Sequence, residues 1–91
     1  MKEEYNFAGA LGNNAEFVKI HIGAEVRKEL YVQKRTINWL ADEIGCDQSN
    51  LRKKLKKRYI NPPLLHRISE VLQVDFFAIY SQSLSFRDKV E

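Results

Sequence analysis

Arg52, Lys53, Lys54, Lys56, Lys57 and Arg58 put six positive charges into seven consecutive positions. Lysine and arginine at such density do one kind of chemistry well, the binding of anions through charge-assisted hydrogen bonds. From Gln48 to Ser69 there are seven Lys or Arg and no Asp or Glu, whereas the remainder of the chain has eight basic and twelve acidic residues. The formal net charge of +3 therefore divides into +7 within this segment and −4 outside it. A basic block on an otherwise acidic chain points to a located anionic partner. The plainer alternative is a solvated helix face, the usual fate of a charge run.

Other chemistries find little support. Cys46 has no activating charge in its turn and reads as a small packing residue. His21 and His66 are far apart and, with one cysteine in the chain, give no zinc-ligand spacing. His66 reads as an exposed helix residue near the basic block, within reach of a phosphate. No phosphate-cradling glycine loop, carboxylate pair or nucleophile motif occurs. The expectation is a chain that is not an enzyme, with no metal, no cofactor and no small-molecule substrate. A single cysteine excludes an internal disulfide, which fits a reducing compartment. No apolar run approaches the ~18 residues of a membrane span, and the N-terminus lacks the apolar core of a signal peptide. A soluble, cytoplasmic and nucleoid-associated protein is expected.

The elements that must position the basic block lie between Thr36 and Arg58. Ile37, Leu40, Ala41 and Ile44 recur at i, i+3, i+4, i+7, one face of a helix. Thr36 is a suitable N-cap, and Gly45 ends the helix because glycine adopts the left-handed conformation freely. Asp47 caps a second helix, whose core stripe is Leu51 and Leu55. Two helices joined this tightly cross steeply, as in a helix-turn-helix. With Leu51 and Leu55 inward, Ser49, Lys53 and Lys56 face outward. Arg52 and Lys57 then flank them, and Gln48 leads.

Leu40-Ala41, Ile44-Gly45-Cys46, Gln48-Ser49 and Leu51 resemble the helix-turn-helix of the phage repressor and Cro-like (xenobiotic-response-element-like) transcriptional regulators. The resemblance covers about residues 20 to 80 and implies a compact all-α, five-helix, lambda-repressor-like domain. It also implies that Ala41 lets two helices touch, that Cys46 plugs the turn, and that the helix from about 47 to 57 enters the major groove. Gln48, Ser49 and Arg52 or Lys53 would then meet base edges, for which amide, hydroxyl and guanidinium groups are chemically suited. Lys56, Lys57 and Arg58, further along, suit phosphates, as do Thr36 and Asn38 at the start of the preceding helix. Two positions depart from the family pattern. Ile37 stands where a polar residue is common, and Lys54 stands where an aliphatic or Trp is often buried.

The rest of the chain supplies a scaffold. Residues 1–17 read as a flexible leader whose Glu3 and Glu4 argue against a DNA-reading arm, with Tyr5, Phe7 and Phe17 as docking residues. Val18 to Ile22 alternate with period two, as an extended lead-in or as a strand pairing with a second chain. Ile22, Val26 and Leu30 mark an amphipathic first helix to about Gln33. Trp39, opposite the Ile37/Leu40 stripe, is either covered within the chain or a dimer contact. Asn61-Pro62-Pro63 starts a helix with the stripe Leu64, Leu65, Ile68, Val71, Leu72. Asp75 then caps a short aromatic helix of Phe76, Phe77, Ile79 and Tyr80 that closes the core. Residues 18–80 form the expected domain, with its motif at 36–57. Residues 81–91 form a frayed tail that Phe86 pins.

The expected function is sequence-specific binding of double-stranded DNA in transcriptional regulation, as a monomer or homodimer. The alternative is an antitoxin-like or adaptor module that uses the same scaffold to bind protein. A structured-RNA binder is disfavoured, because the narrow major groove of A-form RNA excludes a helix.

Overall fold

Among the described residues, four helices begin with the same local device. A side chain just before each helix accepts a backbone N–H three residues on, satisfying one of the donors that a helix start leaves unpaired. His21 Nδ1 accepts from Ala24 N at 3.0 Å, Thr36 Oγ1 from Trp39 N at 2.9 Å, Asp47 Oδ2 from Asn50 N at 3.0 Å and Asn61 Oδ1 from Leu64 N at 2.9 Å. The helices that follow are α1 (Ile22–Val32), α2 (Ile37–Ile44), α3 (Gln48–Lys54) and α4 (Pro62–Leu72). A fifth, α5, spans Phe77–Gln82. The computed structural model describes residues 19–84, which are helical with no strand among them. The expected leader (1–17), Val18 and the tail beyond Leu84, with Phe86, lie outside the described residues.

The chain divides into two units, His21–Phe76 and a second made of residues 1–20 with 77–91. In the first, α2 packs against both α3 and α4. Its core is built from Ile22, Val26 and Leu30 of α1, Leu40, Ala41 and Ile44 of α2, and Leu51 and Leu55. Ile60, Leu65, Ile68, Leu72 and Phe76 complete it, and all of these are buried. Ala41 is wholly enclosed, so a larger side chain there would have to push α2 off its neighbours. Ile37, expected on the core stripe, is only half-buried, as are Leu64 and Val71.

Among the described residues, three turns use the left-handed region, at Lys34 (φ 60), Gly45 (φ 73) and Gln73 (φ 59). At Gly45 the conformation aims the Gly45 and Cys46 N–H groups at the Ala41 carbonyl, which ends α2 as expected. The period-two stretch is extended only in part: Lys19 is helical, Ile20 and His21 are not, His21 is extended, and α1 begins at Ile22. In the second unit, α5 differs from expectation. It starts after Phe76, so Phe76 occupies the preceding turn and is the aromatic buried in the first unit, while Phe77 is exposed and Tyr80 half-buried. It also runs on through Ser81 and Gln82 into the segment expected to fray. The Ser81 and Ser83 hydroxyls donate back to the carbonyls of Ala78 and Tyr80, securing that end.

Candidate nucleic-acid interface

Helix α3 rests on the core through Leu51, and Leu55 just beyond its end is equally buried. That pair fixes the rotation of the helix and leaves Gln48, Ser49, Arg52, Lys53 and Lys54 exposed. Thr36 and Asn38, at the start of α2, are exposed as well. Like charges on so short a helix repel, each close pair costing tenths of a kcal/mol. The negative end of the helix dipole partly offsets this, since Arg52, Lys53 and Lys54 occupy the last turn. Among the described residues, no carboxylate lies within ion-pair distance of Arg52, Lys53, Lys54, Lys56 or Lys57. By contrast, Lys28 on α1 pairs with Glu25 at 3.3 Å.

The expected helix from 47 to 57 is shorter than its sequence pattern suggests. It ends at Lys54, and Lys56, Lys57 and Arg58 lie in a turn, so a helical wheel does not describe their directions. The cause is tertiary. Arg27 Nε donates to the Leu55 carbonyl at 3.1 Å, and Ile22 N donates to the Arg58 carbonyl at 2.9 Å. Lys56 N and Lys57 N close short three-residue turns on Lys53 O and Lys54 O at 3.2 and 3.1 Å. Gly23 makes this approach possible: a Cβ built there would collide with the carbonyl oxygens of Leu55 and Lys57. Lys56, Lys57 and Arg58 are exposed on this turn.

Two residues given separate roles by the sequence prove to be partners. Arg52 Nη2 donates to Asn38 Oδ1 at 2.7 Å, tying α3 to α2. Thr36 Oγ1 is occupied as a helix cap, which leaves its O–H proton free to donate. Cys46 is half-buried in the turn. Lys54 points to solvent, so Leu55 alone fills the core there. Trp39 is half-buried, and the Arg35 guanidinium lies 4.3 Å from its ring centroid, a contact worth about 0.5–1 kcal/mol at exposed sites. His66 is exposed, with Glu70 at 3.9 Å.

Sequence reasoning missed Gly23, Arg27, Arg35 and the capping role of His21. Gly23 did carry a signal, because glycine inside an amphipathic helix usually has a packing reason. Beyond the basic turn, Lys54, Lys57, Tyr59, Ile60, Asn61 and Leu64 line a depression of about 170 Å³. No group of three potential metal ligands occurs among the described residues, and none of their helices is long and apolar enough to cross a membrane. Comparison of the chain with protein-family models, characterised proteins and solved structures finds no match.

Proposed function

We propose that this chain binds double-stranded DNA with sequence preference, as a helix-turn-helix regulator of transcription acting in the cytoplasm on the nucleoid. The observation that carries the reading is the division of labour along residues 48–58. A short helix anchored by Leu51 exposes groups able to read bases, and the turn after it exposes Lys56 and Lys57, which among the described residues have no carboxylate within ion-pair distance. A helix is about 10–12 Å across with its side chains, a fit for a major groove about 12 Å wide. Gln48, Ser49, Arg52 and Lys53 are the proposed base readers. Lys56, Lys57, Arg58 and the Thr36 hydroxyl are the proposed phosphate contacts. Two copies on one duplex would place their half-sites about 34 Å apart.

A protein-binding module of antitoxin or adaptor type is the second reading. It is favoured by Tyr31 and Val32, which are 85% and 62% exposed at the end of α1. Parallel titrations with duplex DNA and duplex RNA, followed by NMR shifts of residues 47–58, separate the readings. Salt-dependent shifts with DNA alone are expected. Equal shifts with both, or none with either, would remove the DNA reading.

A further inference from the structure

We infer that Asn38 is a positioning residue that holds the Arg52 guanidinium in a reading orientation, so that base preference depends on a side chain that itself reads no base. The inference rests on the proposed DNA binding. Three observations support it. The Arg52 Nη2 to Asn38 Oδ1 bond, at 2.7 Å, is short and joins two helices across a sequence separation of 14. Both side chains are exposed, so the bond does not rescue a buried polar group. Asn38 is also uncharged, and among the described residues no carboxylate lies within ion-pair distance of Arg52.

The lack of a carboxylate is shared with Lys53, Lys54, Lys56 and Lys57; what is particular to Arg52 is a neutral amide side chain on another helix as its partner. Lys28 pairs with Glu25, Arg27 gives its Nε–H to the Leu55 carbonyl, and Arg35 covers Trp39. An Asp or Glu at position 38 would hold Arg52 as well, but would cancel its attraction for an anionic partner. A neutral amide fixes the direction of the planar fork and leaves its full charge and its remaining N–H donors available. A long side chain pre-ordered in this way loses less conformational freedom when it meets a base edge. The Asn38 side chain is thereby oriented toward a neighbouring residue and away from its own backbone, the usual competitor in a helix.

The test uses the full chain and a duplex selected from a random library, together with that duplex changed one base pair at a time. Arg52→Ala identifies the base pair at which preference is lost. Asn38→Ala is expected to lower preference at that same pair, by about tenfold. The double variant should lose little beyond Arg52→Ala alone. Asn38→Asp keeps the acceptor oxygen and should preserve the preference while weakening binding to every duplex. Independent, additive losses from the two alanine variants would overturn the inference. So would an Asn38→Ala variant that weakens all duplexes equally with preference intact, since that is the behaviour of a phosphate contact or a merely stabilising bond. Failure of the parent chain to bind any duplex is a distinct result: it removes the DNA reading itself, and the inference with it.

Discussion

The basic run divides into two halves with similar charge held by different physics. From Gln48 to Lys54 it is a helix whose orientation follows from its own sequence, through the Asp47 cap and the inward Leu51. From Leu55 to Arg58 it is a turn whose carbonyls are held by Arg27 and Ile22, with Gly23 pressed beneath it. Charge density is thus what suggests the proposed anionic partner, while the mode of anchoring says which cations share a rigid frame. The first half can be disturbed locally; the second is disturbed from α1.

The largest effect is expected from breaking the helical half. Leu51→Ala empties a fully enclosed site and should cost ~2–5 kcal/mol of unfolding free energy, measured by denaturant titration. Gly23→Ala strikes the turn half. Alanine gains roughly 0.8–1 kcal/mol of helix propensity over glycine, but its Cβ meets two backbone carbonyls that have no rotamer to escape into. The clash should win, with a net loss of ~1–3 kcal/mol. A variant as stable as the parent would show that the turn is not pressed on α1.

Functional substitutions sharpen the same contrast. Gln48→Ala should lose ~1–3 kcal/mol on a preferred duplex and much less on a scrambled one. Lys57→Ala should weaken both equally and reduce the salt slope by about one unit. Salt titrations on the two duplexes decide this; the reverse outcome would mean that the turn reads bases and the helix does not. The smallest change is expected from Arg27→Ala, which removes the hydrogen bond to the Leu55 carbonyl and should cost about 1 kcal/mol. Its effect should be additive with Leu51→Ala only if the two halves are held independently.

What the sequence made legible was local. Thr36, Asp47 and Asn61 announced helix starts because their side chains cap through neighbouring backbone, and Gly45 announced an end because of its left-handed conformation. The α1 and α4 stripes followed from period alone. The end of α3 was not legible, because Leu55 continues the apolar spacing and no breaker interrupts the lysines. Its stop is imposed by Ile22, Gly23 and Arg27, more than 25 residues away in the chain, Arg27 and Leu55 being separated by 28. The candidate site was legible as a set of exposed residues and not as a network. Composition gives no sign that Asn38 faces Arg52. His21 escaped notice for a simpler reason, since histidine is not among the favoured capping residues.

The Ile22 to Arg58 hydrogen bond also bears on the order in which the unit assembles. Helices α2 and α3 meet through residues close in sequence, and contacts of that kind form early and fast. The basic turn can take its place only when α1 closes a much longer loop, whose entropy must be overcome first. Until then Lys56, Lys57 and Arg58 ride on an untethered segment, able to attract any polyanion without orienting it. Native-state hydrogen exchange should accordingly find the Ile22 amide opening at lower free energy than the Leu51 amide, whose acceptor is the nearby Asp47 carbonyl. Closing that tether is the step that turns a cloud of positive charge into a surface with a shape.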